Sequence, residues 1–394
     1  MMKPGYKQTE IGVIPEDWEA KQIGSFARIC MCKRVFADQT AEVGDIPFYK
    51  IGTFGGKPDA YISRALYSEY KNKYSYPENG DVLISAAGTL GRTVVFDGAD
   101  SYFQDSNIVW LDIDKAQICN EYLKHYYEVI KWAASEGSTI SRLYNGIIES
   151  TYISVPPLAE QLRIAEALSD MDELIASLEK LIAKKKAIKQ GAMQELLTGK
   201  RRLPGFSGEW EKHEMKDYVN FQVGFPFSSS YFNENSIGLR LIRNRDLKSD
   251  DQIVYSTEIV GDSFVVKNGD VLVGMDGDFL PCIWKKGRAL LNQRVGKLLF
   301  SKSMVDRFAY YAFQKPLMEL QDGTGATTVK HLSHGDIKKL VVLLPPTREE
   351  QYAVASVLSD IDEELQQYED RIQKARQIKQ GMMQQLLTGK IRLI

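Results

Sequence analysis

Apolar residues recur at alternating steps of four and three along two long segments, which begin near residues 161 and 351. This spacing places them on one face of an α-helix and is typical of a coiled-coil seam. The seam positions are Ile164, Leu168, Met171, Ile175, Leu178, Ile182, Val354, Leu358, Ile361, Leu365, Tyr368 and Ile372. A segment of about 40 residues, at about 1.5 Å per residue, predicts a helix about 60 Å long. Because a long helix with an apolar stripe needs a partner, we predict that the two helices pair with each other.

The two helical segments are copies of each other. Residues 161–203 align with residues 351–393 without a gap, and the strings LSD, IKQG and LLTGK occur in both. Each copy follows a double proline and contains a glycine after LLT near its end, Gly199 or Gly389, as expected for a helix start and a helix end. Gly191 and Gly381 lie inside the patterns at matching positions, which predicts a close helix approach or a bend.

Weaker matches extend the repeat over most of the chain. The string DWE at Asp17 corresponds to EWE at Glu209, and GDVLI from Gly80 corresponds to GDVLV from Gly269. The chain therefore has the order domain, helix, domain, helix. Two equivalent copies are most simply related by a pseudo-two-fold axis, which would make the two helices antiparallel.

The regions before the helical segments contain short apolar runs between glycine-rich turns. Runs such as DVLIS, NIVWLDI, DVLVGM and KLLF predict β-strands, and one helical stretch follows in each region, from Glu121 and from Val305. We therefore predict an α+β fold with a pseudo-two-fold internal repeat. Two globular domains, residues 1–155 and 204–344, are separated by two long antiparallel coiled-coil helices, residues 156–203 and 345–394.

The charge balance excludes a strongly basic protein: the 394 residues include 50 Lys and Arg against 52 Asp and Glu, a net charge of -2. A nucleic-acid surface would have to come from local clusters of positive charge. No apolar run approaches the roughly 20 residues of a membrane span, and the amino-terminal sequence lacks a secretion signal, so we expect a cytoplasmic protein. The four cysteines and four histidines are scattered, so we expect neither a disulfide framework nor a metal site.

Several strings occur in a fixed order: IPEDW at Ile14, GDVLISAAGTLGR from Gly80, GSTISRL from Gly137, VPPLAEQ before the first helix and LLTGK after it. In this order, and partly repeated, they resemble the specificity subunits of type I restriction-modification systems over nearly the whole chain. The second half departs from the pattern where GMDGDFLP replaces the Gly-Thr loop and EW replaces DW.

The resemblance implies that each globular domain is a target recognition domain for double-stranded DNA and that the helices form a spacer. It implies a target of two short, different half-sites separated by a gap, two methylation subunits docked on the spacer, and restriction subunits joined through them. Methylation with S-adenosylmethionine and ATP-dependent chemistry would belong to these partners. The chain has no GxxxxGK[ST] phosphate loop and no Asn-Pro-Pro-aromatic string, so we expect a non-catalytic subunit without a cofactor.

Polar and basic residues of the predicted loops and strand ends are the candidate DNA contacts, because Arg and Lys suit phosphates and guanine while Asn and Gln suit adenine. In the first domain they are Lys50, Thr53, Arg92, Gln104, Ser106, Ser138 and Arg142. In the second they are Arg240, Arg243, Asn244, Arg245, Lys248, Asn292, Gln293, Arg294, Thr327, Lys330 and His331. For each group, a solvated strand end or an ordinary turn is the competing interpretation.

Four questions stay open at this point. The basic run KKKAIK from Lys184 on the first helix suits either DNA or, more readily, a solvated face or a partner contact. Asp59, Glu69 and Lys71 fit a loose nuclease pattern, Pro-Asp followed by Glu-x-Lys, which requires carboxylates that converge on magnesium. A specificity subunit for a fused methylase-nuclease and a coiled-coil adaptor without a DNA function are the remaining hypotheses.

Overall fold

The computed structural model describes residues 4–130, 132, 142–323 and 331–394. The chain forms two compact units: Met1–Glu179 with Asp370–Ile394 is the first unit, and Lys180–Glu369 is the second. Each unit therefore combines one globular region with parts of both long helical segments. Within the described ranges, no helix has the combination of length and apolar character that crossing a membrane requires.

The first unit contains a run of short strands followed by the start of a long helix. Its strands are β1 (Tyr6–Thr9), β2 (Gly12–Pro15), β3 (Glu19–Gln22), β4 (Ala27–Cys30), β5 (Ile46–Tyr49), β6 (Tyr61–Ile62), β7 (Val82–Ser85), β8 (Thr93–Val95), β9 (Tyr102–Phe103), β10 (Ile108–Ile113) and β11 (Tyr152–Val155). Its α-helices are α1 (Arg64–Lys73), α2 (Asn120–Tyr127), α3 (Asn145–Ser150) and the first part of α4 (Leu158–Leu196).

Two sheets form the framework of the first unit. One is antiparallel with the order β4-β10-β7-β8, and the other has the order β6-β5-β9 with β5 and β9 parallel. The central strands β7 and β10 are apolar along most of their length, as expected for strands covered on both faces. Val82 and Ile84 pack into one core with Tyr122, whereas Leu83 packs into another with Trp110, because successive side chains point to opposite faces.

The second unit repeats this arrangement, with a five-stranded sheet in place of the three-stranded one. Its strands are β12 (Glu211–Glu214), β13 (Val219–Val223), β14 (Phe232–Asn233), β15 (Leu239–Ile242), β16 (Val254–Ser256), β17 (Val265–Val266), β18 (Val271–Gly274), β19 (Pro281–Ile283), β20 (Ala289–Leu291), β21 (Val295–Phe300) and β22 (Val341–Leu344). Its helices are the last part of α4, then α5 (Asp306–Ala312), α6 (Gln314–Asp322), α7 (His334–Lys339) and the first part of α8 (Arg348–Leu386).

The sheet topology of the second unit matches that of the first. The antiparallel sheet has the order β13-β21-β18-β19, and a five-stranded sheet β14-β16-β15-β20-β17 again contains one parallel pair, β15 with β20. The predicted strands DVLIS, NIVWLDI, DVLVGM and KLLF are confirmed. The helical stretch predicted from Val305 is divided between α5 and α6, because Pro316 lacks an N–H and is tolerated only in the first turn of α6.

Each unit is closed by the carboxyl-terminal part of a long helix. In the first unit, Met383 and Leu386 of α8 pack into the same core as Ile164 and Leu168 of α4. In the second unit, Leu196 of α4 packs into the same core as residues of α8 such as Leu358. The end of each long helix is thus a part of a globular core.

A buried carboxylate ties the returning chain end to the first unit. Glu160 is only 4% exposed; it accepts hydrogen bonds from Trp18 Nε1 at 2.9 Å and from Arg392 Nε and Nη2 at 2.8 and 2.7 Å. Arg392 also pairs with Asp17 at 2.7 Å. Burial raises the pKa of Glu160, but the hydrogen bonds from Arg392 and Trp18 outweigh burial and leave this pKa below its ordinary value. The ion pair with Arg392 therefore offsets the cost of removing the Glu160 carboxylate from water.

The second unit repeats the buried carboxylate at the matching positions. Glu350 accepts from Trp210 Nε1 at 3.2 Å and from Arg202 Nε and Nη2 at 2.5 and 2.7 Å. In each unit this contact therefore joins three repeated strings of the sequence. DW or EW supplies the tryptophan, EQ supplies the glutamate, and LLTGKxRL supplies the arginine.

A glycine turn ends each long helix against the tryptophan of the buried contact in that unit. Gly199 and Gly389 have φ angles of +67° and +68°, which confirms the predicted helix ends. A Cβ added at Gly389 would lie 2.4 Å from Pro15 Cδ and 3.2 Å from a Trp18 ring carbon, and one at Gly199 would lie 3.3 Å from Trp210. Side chains are excluded here by both the backbone conformation and the close packing.

Ion pairs show the direction of the two helical segments inside the first unit. Glu179 of α4 pairs with Arg376 of α8 at 2.7 Å, and Asp172 pairs with Lys379 at 2.7 Å. The residue number falls along one segment as it rises along the other, so the two segments are antiparallel within this unit.

The second unit contains the matching ion pairs. Lys186 pairs with Glu369 at 2.8 Å and Lys189 pairs with Asp362 at 2.6 Å, again in antiparallel order. Lys185 of the same basic run contacts Glu364 at 2.7 Å. Part of the run predicted as a solvated face or a partner contact thus faces carboxylates of α8.

The twelve seam positions are all at least partly covered. Those that are buried are Ile164, Leu168, Leu178, Val354, Leu358, Leu365 and Ile372, and those that are half-buried are Met171, Ile175, Ile182, Ile361 and Tyr368. The expectation of a close approach at the internal glycines was wrong. A Cβ at Gly191 or Gly381 would meet no described atom within 4 Å.

Replacing Glu160 by glutamine should lower the free energy of unfolding of the first unit by about 3 kcal/mol, because it leaves Arg392 without its buried partner. Glu350→Gln should cost the second unit at least as much, since among the described residues Arg202 has no second carboxylate comparable to Asp17. Chemical denaturation measures both. The exposed Glu166→Gln is the matched control and should change the free energy by less than about 0.5 kcal/mol.

The sign of the pH dependence is part of this prediction. Since the pKa of Glu160 is lowered by folding, its contribution is complete above the ordinary value of 4.5 and is lost as the pH falls below it. The difference in stability between wild type and Glu160→Gln should therefore shrink progressively as the pH falls below 4.5. A constant difference between the two proteins down to pH 3 would contradict the assignment.

Alanine at Gly191 or Gly381 should raise the free energy of unfolding by about 1 kcal/mol each, because both lie inside a helix with open space around the missing Cβ. Thermal unfolding of the two single variants measures this effect. Gly389→Ala is the contrasting variant and should destabilise the first unit. A loss of stability in either alanine variant would show that another group occupies the space beside the glycine.

Candidate nucleic-acid interface

The predicted loops of the first unit meet at one edge of its antiparallel sheet. Residues 86–92 follow β7, and residues 104–107 precede β10, which is the neighbour of β7. The backbone N–H of Ala86 donates to the Asn107 carbonyl at 2.7 Å, and that of Leu143 donates to the Ala86 carbonyl at 2.9 Å. Strand pairing therefore brings three separate parts of the sequence together.

Four of the predicted residues line one cleft of about 360 Å³ at this edge; they are Lys50, Gln104, Ser106 and Arg142. Gln104 Oε1 accepts the backbone N–H of Ile51 at 2.9 Å, which fixes the turn that follows Lys50. Arg142 is exposed, and its Nη2 donates to Asn107 Oδ1 at 3.2 Å. The cleft thus presents a cation, an amide and a hydroxyl, the groups that contact phosphates and base edges.

Two further predicted residues lie beside this cleft. Thr53 Oγ1 accepts the backbone N–H of Lys50 at 3.1 Å, so its hydroxyl stabilises the turn itself. Arg92 lies 5.3 Å above the Phe54 ring, and its Nη2 is 3.4 Å from the Ile51 carbonyl. Arg92 is exposed and extends the basic surface along the same loop.

The sequence analysis missed Arg34 and Asn107, which line the same cleft. Arg34 Nε donates to Asp105 Oδ2 at 2.8 Å. The signal that could have found Arg34 is the Lys33-Arg34 pair directly after β4, because β4 is the other neighbour of β10.

The corresponding edge of the second unit is organised by a carboxylate. Asp276 follows β18, and its Oδ2 accepts from Arg294 Nη1 at 2.5 Å while its Oδ1 lies 3.0 Å from His331 Nδ1. Asn244 Nδ2 donates to the backbone carbonyl of Asp276 at 2.6 Å. Three residues predicted from separate strings are therefore gathered around a residue that was not predicted.

The charge of Asp276 follows from these neighbours. Burial raises its pKa, but the hydrogen bonds from His331 and Arg294 outweigh burial and leave the pKa below the ordinary value for aspartate. The carboxylate therefore stays ionised at neutral pH.

The basic residues between Arg240 and Lys248 differ in their contacts and in their exposure to solvent. Arg240 is 10% exposed; it pairs with Asp250 at 2.5 Å and lies 5.1 Å from the Trp284 ring, so it serves packing. Lys248 is exposed and pairs with Asp278 of the same loop as Asp276.

Arg243 and Arg245 face their own turn. Arg243 Nε donates to Asp246 Oδ2 at 2.9 Å, and Arg245 Nη1 donates to Gln252 Oε1 at 2.9 Å. Arg243 is half-buried whereas Arg245 is exposed, so the two side chains differ in what a ligand could reach.

The remaining predicted residues lie next to Arg294 or outside the described ranges. Asn292 Oδ1 is 3.3 Å from the backbone N–H of Arg294, and Gln293 is exposed. Ser138, Thr327 and Lys330 lie outside the described residues.

The two units share the backbone of this site although their loops differ. Ala87 forms a bridge with Arg142 in the first unit, and Asp276 forms the same antiparallel bridge with His331 in the second. The N–H of Leu332 donates to the Met275 carbonyl at 2.8 Å, as Leu143 does to Ala86. The same scaffold therefore carries different side chains at matching positions.

The residues of the nuclease pattern have other partners. Asp59 pairs with Lys50 at 2.9 Å, Glu69 pairs with Lys73 at 3.0 Å, and Lys71 Nζ donates to the hydroxyl of Tyr67 at 2.8 Å. Nothing in these contacts brings the two carboxylates together on a magnesium site.

One group of possible metal ligands occurs among the described residues. It consists of His125, Glu128 and Asp172. Lys379 Nζ lies 2.8 Å from Glu128 and 2.7 Å from Asp172, so an ammonium group already pairs with both carboxylates. This arrangement suits an ion-pair cluster better than a metal site.

Comparisons with known proteins agree with the duplicated architecture. A family model described as the type I restriction modification DNA specificity domain matches residues 15–190 and again residues 207–376. The type I restriction enzyme MjaVIII specificity subunit of Methanocaldococcus jannaschii is 27% identical over 96% of this chain and 94% of its own. A Haemophilus influenzae protein, provisionally named a type I restriction enzyme specificity subunit, is 57% identical over 40% of this chain and 41% of its own.

A solved structure extends the likeness to the fold. The type I restriction-modification system S subunit from M. genitalium has a TM-score of 0.65 with this chain at 16% identity, over 98% of this chain and 99% of the other. At this identity the likeness concerns the fold alone.

Alanine at Gly274 should destabilise the second unit by about 1 to 3 kcal/mol, because its Cβ would lie 2.0 Å from Asn244 Oδ1 and 2.5 Å from the Asp278 carbonyl. Thermal unfolding measures the loss. Gly335→Ala is the control in the same unit, since its Cβ would meet its nearest described atom at 3.6 Å. Equal stability of the two variants would contradict the packing of Asn244 against this loop.

Proposed function

This chain belongs to the family of type I restriction modification DNA specificity domains, and from that premise we propose that it reads a bipartite, gapped target on double-stranded DNA. The observation that carries the proposal is the double match of the family model, once on each half of the chain. The family supplies DNA specificity and not catalysis, and each match includes one of the two loop clusters described above.

We assign residues 1–155 and 204–344 as the two target recognition domains. The first contacts DNA through the cleft around Lys50, Gln104 and Arg142, and the second through the surface around Arg294 and His331. Because different side chains occupy matching positions, the two half-sites differ in sequence. Predicted residues outside the described ranges, together with Arg245, Lys248 and Gln293, complete this set as phosphate or base contacts.

We assign residues 156–203 and 345–394 as an antiparallel coiled-coil spacer, with the twelve seam residues between the helices. Two facts support this: α4 and α8 are each continuous over 39 residues, and each contributes residues to both units. A rigid connection would hold the two recognition domains in a fixed rotational phase on one duplex, which a gapped target of constant spacing requires.

Two equivalent copies on one chain offer two equivalent docking surfaces, so we propose that the chain binds two methylation subunits and, through them, restriction subunits. Adenine methylation and ATP-dependent cleavage belong to those subunits in this proposal. The net charge of -2 is compatible with DNA binding, because phosphate contacts need positive charge only where the DNA backbone passes.

The test compares adenine methylation across the genome in cells that carry this chain with its methylation subunit and in cells that lack only this chain. We expect a two-part motif with a constant gap, which disappears without the chain and returns when the gene is restored. Unchanged methylation in the deletion strain would overturn the proposal.

A variant assigns the first half-site to the first unit. Arg142→Ala should relax or abolish recognition of one half of the motif and leave the other half unchanged, because Arg142 lines only the first cleft. Arg28→Ala is the matched control, since Arg28 is also exposed in the first unit but pairs with Asp112, away from the cleft lining. Loss of both half-motifs in either variant would contradict the assignment.

A further inference from the structure

The side chains of Asp276 and Arg294 are held opposite each other by strand pairing. Gly274 at the end of β18 is paired with Val295 at the start of β21, and the N–H of Met275 donates to the Arg294 carbonyl at 3.0 Å. The two side chains therefore lie just beyond the ends of neighbouring strands, at the same edge of the sheet. The pairing of β18 with β21 fixes the ends of the loop that carries Asp276 and of the turn that carries Arg294, and so sets their contact.

The carboxylate of Asp276 lies beneath two exposed groups, the guanidinium of Arg294 and the imidazole ring of His331. The Asp276 side chain is 20% exposed, whereas Arg294 is 59% and His331 is 57% exposed. Asp276 thus contacts the inner side of both groups and leaves their outer sides to solvent. This is the arrangement expected of a support for two ligand-contacting side chains.

A second contact anchors Asp276 from the protein side. Asn244 donates to its carbonyl at 2.6 Å, and Gly274 leaves the space that the Asn244 amide occupies. Asn244 begins a short 3-10 helix that Asp246 and Arg243 close with a hydrogen bond between their side chains. The support is therefore fixed to two elements of the second unit.

The first unit lacks this support. Ala87 stands at the position of Asp276, and in that unit Asn107 is the residue that accepts from the group corresponding to His331, Arg142. The first unit forms the same backbone bridge without a carboxylate, so the side chain of Asp276 is not required for this part of the fold.

From this geometry we infer that Asp276 is a positioning residue that holds Arg294 for the edge of a guanine base in the half-site of the second unit. The inference rests on the proposed function. One guanidinium N–H group is held by Asp276, and the remaining N–H groups form a fork that matches O6 and N7 of guanine. A guanidinium fixed before binding loses less side-chain freedom in the complex and is prevented from turning to another base.

The test uses the complete complex of this chain with its methylation subunit. Duplexes carry the mapped motif or a single substitution of each guanine in the half-site of the second unit, and initial methylation rates are compared. We expect wild type to discriminate against one substituted guanine by about tenfold or more, and Asp276→Asn to lose most of that discrimination. Discrimination in the other half-site should stay unchanged.

Two matched variants separate charge and folding from positioning. Asp262→Asn removes the same charge from a side chain that is 99% exposed, and it should keep wild-type discrimination. Arg294→Lys keeps the positive charge but loses the fork, so it should lose discrimination at the same guanine while thermal unfolding stays at the wild-type temperature.

Three outcomes would overturn the inference. The first is a second half-site without a guanine. The second is wild-type discrimination in Asp276→Asn, whatever the result for Arg294→Lys. The third is a uniform loss of rate on all duplexes with a smaller salt dependence, which would identify Arg294 as a phosphate contact. If wild type itself shows no sequence-dependent methylation, the proposed function fails as well, and that result is distinct from the other three.

Discussion

The fold depends on one buried charge pair that occurs twice. Glu160 and Glu350 are each removed from water, and each is paired with an arginine and accepts a hydrogen bond from a tryptophan N–H. In the first unit the arginine comes from the carboxyl-terminal end of the chain, and in the second it comes from the segment after α4. The two units therefore do not follow the order of domain and helix along the chain. The first globular region is completed by the end of α8, and the second is completed by the end of α4.

The buried charge pair lies outside the loop edges of the two antiparallel sheets, and the side chains at those edges differ between the units. The hydrogen bonds of Leu143 with Ala86 and of Leu332 with Met275 are equivalent, and so are the strand orders around them. What changes is the chemistry at the edge: an amide in the first unit holds an arginine, whereas a carboxylate in the second unit holds an arginine and a histidine. A repeated scaffold with unequal edges is what a reader of two different half-sites needs.

Much of the candidate site could be predicted from residue type and position, since basic and amide side chains near glycine-rich loops are the usual DNA contacts. Arg34 and Asp276 were missed for different reasons. Arg34 becomes part of the cleft only because β4 pairs with β10, and no local pattern shows that pairing. Asp276 has the wrong charge for a DNA contact, and its role depends on the position of Arg294 across the strand pair. Arg240 shows the reverse case, since a predicted contact is used for packing on Trp284.

The repeat, the long helices and the apolar strands were determined by the sequence itself, because spacing of apolar residues and capping by proline and glycine act over a few neighbouring residues. The tertiary structure alone decided which charges are buried together, which basic residues reach solvent and which loops share an edge. Those outcomes depend on strand register and on the return of Arg392 to Glu160. The latter contact joins residues more than 200 positions apart. Local propensity carries no information at that distance, so only packing of the whole unit selects them.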